Sequence, residues 1–362
     1  MIYFFKVILI LLLFNCFFNS NAVSQNSKLD QINPAFEKLI LRICSLNLYR
    51  LGEKRNKTKY RKEHLSQIRD LSKRIIKGNC DVVGLQEVIG DDLDESREII
   101  SELVKEVETQ GGNKNFDIVL AKSNDKWNRN AFIYDKSRFN LDYQESAYRQ
   151  SLPSLDPRSR SWTHVRGPLI IVLSTRLSPN RSILLINYHL KSKASGWKDP
   201  TGTNYEISRL HAAAGIRELL DSSAKRAHYP LIKVLLGDRN TGPSGAAAEV
   251  LSGRLRFKDF KTGAGCRITP EGTGLCPPEK YSIPDMVPVI QKKAAESKRD
   301  IGTYKRGRNL EILDEILISS EALSLARGND GVLQAGVIGE YRKGSDHLMS
   351  WVMIDFSRNI AD

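Results

Sequence analysis

Apolar residues recur along the chain at two spacings. Leu39 to Leu46 is an apolar-rich run ending at Asn47, and Asp81 to Leu85 is another, reaching Glu87. Between them, Lys59 to Ile76 carries Leu65, Ile68, Leu71 and Ile75 at steps of three or four, the spacing of a helix with one buried face. Strand, helix and strand in that order predict neighbouring parallel strands. Ser96 to Val107 repeats the helical spacing. Phe116 to Ala121, Ala131 to Tyr134, Leu169 to Ser174 and Ser182 to His189 read as strands, and Tyr205 to Ala224 as a helix. Leu231 to Asp238, Ile312 to Ser319 and Met349 to Ile354 complete the strands. No fixed-period repeat and no linker interrupts the series, so one layered α/β domain over 39–358 is predicted. Asn47, Glu87, His189, Asp238 and Asn240 all follow apolar runs, where a sheet delivers side chains to a shared edge.

Residues 1–22 have a different pattern. Lys6 precedes an apolar run from Val7 to Phe14 that resumes at Cys16, and Ser20-Asn21-Ala22 follows with small residues at its first and third places. This reads as a secretory signal peptide cut after Ala22, with 23–38 as an N-terminal extension. An uncleaved anchor is the competing reading, and the run is short for a bilayer span of roughly 20 apolar residues. A secreted or periplasmic location is expected, with no stable membrane association after cleavage. Five cysteines are too few for a disulfide scaffold, although export permits a disulfide. Cys266 and Cys276 flank a Gly/Thr/Pro-rich stretch and are the expected pair. Cys44 lies within a strand pattern and reads as a small core residue, not as a partner of Cys80.

Fifty-five Lys and Arg against forty-two Asp and Glu give a formal charge of +13, which excludes an acidic disordered tail protein. The basic residues cluster. Arg50, Lys54, Arg55, Lys57, Lys59, Arg61 and Lys62 begin three residues after Asn47, with Glu53 the one acid among them. Lys191, Lys193, Trp197 and Lys198 follow His189, and Tyr304-Lys305-Arg306-Gly307-Arg308 forms another patch. Solvated faces are the bland explanation. Clusters beside candidate site residues instead favour a polyanion.

The strand ends, in order, read Ser45-Leu46-Asn47, Leu85-Gln86-Glu87-Val88, Arg166-Gly167-Pro168, Asn187-Tyr188-His189-Leu190, Gly237-Asp238-Arg239-Asn240, Leu313-Asp314-Glu315-Ile316 and Ser345-Asp346-His347. Each motif alone is weak. The ordered series, spanning about Arg42 to Asp355, resembles the endonuclease/exonuclease/phosphatase superfamily and its deoxyribonuclease I-like nucleases. The resemblance implies a four-layered α/β/β/α sandwich with two packed mixed sheets. It also implies a phosphodiesterase or phosphatase dependent on Mg²⁺, with Mn²⁺ or Ca²⁺ as alternatives, since hard oxygen ligands suit these ions.

By the same resemblance, Glu87 is the main metal ligand, Asn47 assists, and Asp346 shares the metal. His347 resembles the general base, oriented by Asp314. His189 contacts the phosphate or protonates the leaving oxygen, Asp238 orients the attacking water, and Asn240 and Arg166 bind the phosphate. Taken singly, Asn47 and Asp238-Arg239-Asn240 are ordinary turn residues, and His189 an ordinary structural histidine. His64, His164, His211 and His228 match no motif and read as packing or surface residues. Arg209, on the helix after His189, resembles an arginine common in bacterial members and reads equally as a solvated helix residue.

The chain departs from the pattern at three places. Arg239 replaces an apolar or aromatic residue, with its side chain expected to point away from the site. Glu315 stands where many relatives have His or Arg. Asn128 occupies the position of a carboxylate that supports the second histidine, which weakens an acid role for His189. The favoured expectation is a secreted, metal-dependent endonuclease hydrolysing DNA, with RNA as a further substrate, acting as a monomer. A sphingomyelinase-like phospholipid phosphodiesterase and a non-catalytic nucleic-acid-binding protein are the alternatives.

Overall fold

The computed structural model describes residues 40–54, 60–125, 127–155, 162–176, 178–193, 199, 201–226, 231–261 and 265–358. Apart from Ile40, these belong to one compact unit, Leu41–Asp362. The signal-peptide and extension expectations fall on 1–38, outside the described residues, as do Arg55, Lys57, Lys59, Trp197, Lys198 and His228.

The first half of the chain forms β1 (Ile40–Leu51), α1 (Tyr60–Gly78), β2 (Val82–Ile89), α2 (Leu93–Thr109), β3 (Phe116–Leu120), β4 (Asn128–Asp135), β5 (Phe139–Ser146) and β6 (Leu169–Thr175). The second half forms β7 (Ser178–His189), α3 (Glu206–Arg226), β8 (Leu231–Asp238), α4 (Ala246–Ser252), β9 (Met286–Pro288), α5 (Val289–Ser297), β10 (Asp314–Ser319), β11 (Ala335–Ile338) and β12 (Met349–Asp355). One six-stranded sheet has the order β11-β12-β1-β2-β4-β3, and the other β9-β10-β8-β7-β6-β5. Both are mixed, because β1 runs parallel to β2 and β7 parallel to β8 among antiparallel pairs. The pairs are those whose strands are joined through a helix, α1 and α3 respectively.

Three apolar cores separate four layers. The central core lies between the sheets and includes Ile43, Phe132, Leu185, Leu236, Ile316 and Ile354. A second packs sheet residues such as Leu184 and Leu235 against Leu210, Ile216 and Val250 of α3 and α4. A third packs Leu46, Leu85 and Ile133 against Ile68 and Leu71 of α1 and Ile100 and Leu103 of α2. The result is an α/β/β/α sandwich. Helix α2 starts at Asp92, whose carboxylate accepts the Glu95 N–H at 2.8 Å and satisfies one of the helix's orphan donors.

One expectation needs correcting. Cys44 is no lone core residue; it is joined to Cys80. The parallel register sets Ile43 opposite Val82, which brings Cys44 beside the residue leading into β2, with 6.0 Å between the cysteine Cα atoms. Cys266 is joined to Cys276 across the short pairing of Arg267–Ile268 with Gly274–Leu275.

Candidate active site

Strand alternation builds the site. Side chains two apart share a face, so Ile183, Leu185, Asn187 and His189 of β7 all face the other sheet. The same holds for Val234, Leu236 and Asp238 of β8, for Ile318, Ile316 and Asp314 of β10, and for Ile43, Ser45 and Asn47 of β1. Each strand is apolar within the central core and polar at the shared edge, which is the C-terminal end of β1, β7 and β8 and the N-terminal end of the antiparallel β10. The transition is a buried polar band. Asn187 Nδ2 donates to the Leu85 and Ala131 carbonyls at 2.9 and 2.8 Å, and Gln86 Nε2 donates to Asn187 Oδ1 at 2.8 Å. These bonds cross between the sheets and satisfy groups that would be costly to bury unpaired. Gly84 permits the close approach, since a Cβ there would stand 2.0 Å from Leu236 Cδ1.

Alternation alone would turn Glu87 to the opposite face from Gln86. A bulge prevents this. The β2 register slips between Leu85 and Val88 against β4, and the β1–β2 register slips between Asn47 and Leu51. Glu87 takes φ +63°, with Tyr49 and Arg50 at +50° and +56°. Backbone in this region is disfavoured for side-chain-bearing residues, and bulges of this kind re-aim a side chain at sheet edges. Asn240, at φ +51°, follows the end of β8.

The cleft at these strand ends has a volume of about 1080 Å³, and Glu87, Asp238, Asn240, Asp346, His347 and Arg166 all line it. His347 Nδ1 lies 2.6 Å from Oδ2 of the fully buried Asp314. Its Nε2 lies 3.9 Å from Asp238 Oδ2 and 3.8 Å from Asp346 Oδ1. Burial alone would lower the His347 pKa, but Asp314, with Asp238 and Asp346, outweighs it and pushes His347 up to about 10. Burial pushes Asp238 up to about 7; His347 pulls against this, and Asp314 and Glu87 add to the rise. The Tyr304 ring lies 4.9 Å from the His347 ring.

His189 has the opposite setting. Its Nε2 lies 3.5 Å from Asp238 and 3.7 Å from Glu87. Among the described residues its Nδ1 has no hydrogen-bond partner, and neither has Asn128 Oδ1. Burial, then Arg166 and His347, hold its pKa well below the ordinary histidine value, so His189 is a neutral imidazole. Arg166 donates Nη1 to the Leu190 carbonyl at 2.8 Å and lies 3.7 Å from Asp125. Asn240 donates one amide hydrogen to the same Leu190 carbonyl at 3.1 Å, and its backbone N–H meets Asp238 Oδ1 at 2.8 Å.

The donor set suits a hard divalent cation. Ligand atoms of Asp238, Asp314 and His347 lie within 4.8 Å of one another. Asp314, however, is fully buried and bonded to His347, so this trio reads as a histidine held by carboxylates. Glu87 and Asp346 are the carboxylates that line the cleft beside it. Asp346 Oδ1 is buried without a hydrogen-bond partner among the described residues. Burial pushes the Asp346 carboxyl up, and Glu87 adds to the rise against the pull of His347. Desolvated carboxylates facing one another are relieved by a cation. Asn47 Nδ2 donates to Glu87 Oε1 at 3.3 Å and Asp238 Oδ2 at 3.1 Å. Its oxygen accepts the Tyr49 N–H at 2.9 Å. Asn47 thus bridges the two carboxylates.

Several positioning residues escaped the sequence reading. Arg74 of α1 is buried and donates to the carbonyls of His347 at 2.5 Å and Glu340 at 2.6 Å, and also to Lys343, clamping the loop that carries Asp346 and His347. Ser345 Oγ donates to the Asn47 carbonyl at 2.7 Å and accepts the His347 N–H at 3.0 Å. Arg209 is a fully buried helix residue, paired with Glu206 at 2.8 Å and bonded to the Lys191 carbonyl at 2.9 Å. It anchors the segment after His189. The two departures Arg239 and Glu315 compensate each other: both are buried, and Arg239 Nη1 lies 3.9 Å from Glu315 Oε2.

The fold is that of the endonuclease/exonuclease/phosphatase superfamily. An endonuclease/exonuclease/phosphatase family protein from Bacteroides thetaiotaomicron superposes with a TM-score of 0.55 at 13% identity, over 87% of this chain and 97% of that one. A mannosyl-6-phosphatase from the same species also gives 0.55, at 12% identity over 87% and 99%. D. rerio TDP2, in complex with a single-strand DNA product, gives 0.50 at 16% identity over 87% and 98%. No family model and no curated protein matches the sequence.

Proposed function

We propose that the protein is a secreted, metal-dependent phosphodiester hydrolase that cleaves nucleic acid internally, with DNA as its main substrate. One observation carries the reading: the Asp314–His347 pair faces Glu87, Asp346 and Asp238 in a cleft whose other walls include Arg50, Arg166, Lys191 and Lys193. The carboxylates match a cation, and the basic side chains match the phosphates of a polyanion. Through Tyr49, Arg50, Tyr304 and Asp346 the cleft adjoins a second groove of about 730 Å³. A bound strand can thus run on past the site, as internal cleavage requires. Export is supported by the N-terminal pattern and by two disulfides. Among the described residues no helix is long and apolar enough to cross a membrane.

A divalent cation held by Glu87 and Asp346 would neutralise phosphate oxygens and offset the carboxylates that keep His347 protonated. His347 Nε2 then takes the proton of the attacking water, and Asp314 holds the imidazole in the tautomer that can accept it. Asp238 orients that water. Arg166 and the second amide hydrogen of Asn240 hold the phosphate. Neutral His189 donates a hydrogen bond to it. The water oxygen bonds to phosphorus as the bond to the leaving oxygen breaks, and the leaving oxygen keeps that electron pair and takes a proton from solvent water.

The test is a panel of supercoiled DNA, RNA, sphingomyelin vesicles and a generic phosphodiester, each with Mg²⁺, Mn²⁺ or Ca²⁺ and with chelator. Nicking of DNA that chelator abolishes and rising salt weakens is expected. Release of phosphocholine alone, or DNA binding without hydrolysis under every metal, would overturn the reading.

A further inference from the structure

Two aromatic side chains in the cleft have no part in the chemistry above. Trp127 lines the cleft with Asn128 and Arg166 and is 59% exposed, and Tyr49 lines it with Arg50 and is 46% exposed. An aromatic ring left this far in water forgoes a large hydrophobic contact unless something covers it. Both are set by bonded backbone. The Trp127 N–H donates to Asp125 Oδ1 at 3.3 Å, and its carbonyl accepts the Gly90 N–H at 3.3 Å. The Tyr49 N–H donates to Asn47 Oδ1, so this ring is tied directly to the site.

The two rings mark different ends of the cleft. Tyr49 also lines the adjoining groove with Gln67 and Asp70, whereas Trp127 also lines a shallow depression with Asp91, Asp92 and Asp94. Those three carboxylates outnumber the buried Arg129 guanidinium that lines the depression with them and repel a phosphate backbone from the indole, so the surface that meets Trp127 is an uncharged one. Phosphates are drawn instead to Arg166 and Lys191 in the same cleft. A planar, neutral face attached to a phosphate chain describes a nucleobase. An anionic lipid surface would meet the same repulsion.

We propose that Trp127 and Tyr49 stack unpaired nucleobases on the two sides of the scissile phosphate, making single-stranded nucleic acid the preferred substrate. The proposal rests on the phosphodiester-hydrolase reading and names the substrate class of that site. Bases within a duplex are already covered by their neighbours and must unstack before they can meet an external ring.

The test compares a single-stranded oligonucleotide, its duplex, and the same strand abasic at the two nucleotides flanking the cleaved position. Enzymes are the wild type, Trp127→Ala, Tyr49→Ala and Trp127→Phe. The single strand should be cleaved more efficiently than the duplex. Each alanine should raise KM for the single strand roughly 5- to 100-fold, the range of one base-stacking contact, with a smaller loss on the abasic strand. Phenylalanine should restore most of the loss. A chelator arm measures binding without turnover, using a strand carrying fluorescent 2-aminopurine: the wild type should quench it on binding, and Trp127→Ala should quench it less. Equal cleavage of strand and duplex with unchanged alanine variants would overturn the proposal. So would loss of phosphatidylcholine-vesicle binding in Trp127→Ala with oligonucleotide binding intact. If the wild type cleaves no polynucleotide, the hydrolase reading falls, and the chelator arm alone decides whether the rings stack bases.

Discussion

Changing Glu315 to Gln, Arg239 to Met, or both, isolates the buried pair that supports the strand ends of the candidate site. Glu315 is fully buried, and its carboxylate accepts the N–H groups of Ile290 at 2.7 Å, Ile316 at 3.1 Å and Gln291 at 3.2 Å. Burial pushes its pKa up, while Arg239 and these N–H groups pull it back down. Arg239 donates to the Thr241 and Ile312 carbonyls, each at 3.0 Å, so it ties the Asp238–Asn240 turn to the segment leading into Asp314. Removing one partner of a buried pair costs about 3–5 kcal/mol, because the other charge stays desolvated. At 3.9 Å the contact is at the long end for an ion pair, and glutamine keeps one acceptor for the N–H groups. Arg239→Met is therefore expected near 3 kcal/mol, and Glu315→Gln at about 2 kcal/mol. The double variant should lose less than the sum by about 1–2 kcal/mol, since neither charge is then stranded. Guanidinium denaturation of the four proteins reads this coupling. Losses that add to within about 0.5 kcal/mol would refute the claim that these residues compensate each other.

Asp314→Asn should lower kcat by roughly 10²–10⁴ with little change in KM, because the imidazole loses both its charge partner and its tautomer; a loss under about fivefold in steady-state assays would remove Asp314 from the catalytic pair. Acid should destabilise the fold through His164, whose burial lowers its pKa to about 3 from the ordinary 6.5. Above 6.5 both states are neutral and nothing is lost. As pH falls towards 3 the unfolded chain takes up a proton that the folded state refuses, costing about 2 kcal/mol by pH 5. His164→Gln should flatten denaturation midpoints between pH 7 and 5, and curves parallel to the wild type would contradict this.

Much of the site was legible because period-two strands carry it. Asn47, His189 and Asp238 stand where apolar alternation ends and Asp314 where it begins, and that is readable residue by residue. Glu87 was reached through its motif, while its placement depends on a bulge and a left-handed backbone that no spacing announces. Cys80 lies just outside an apolar run, so its pairing with Cys44 depends on strand register. Arg239 and Glu315 were read as separate departures because each is unremarkable until packing places them together. Arg74 lies in the basic helix α1, where charge alone suggests solvent, yet it holds the His347 loop. Strand β5 was missed although Phe139, Leu141 and Tyr143 alternate with the polar Asn140, Asp142 and Gln144, the pattern of a half-buried strand. Trp127 belonged to no motif.

The most direct measurement is plasmid nicking by the wild type and by Glu87→Gln across one Mn²⁺ titration. The wild type should nick DNA in proportion to bound metal. Glu87→Gln should need far more metal and stay slow at saturation, with a denaturation midpoint close to the wild type. Equal nicking by the two proteins, or nicking by the wild type that survives chelator, would contradict a cation-dependent cleft built on Glu87, Asp346 and His347.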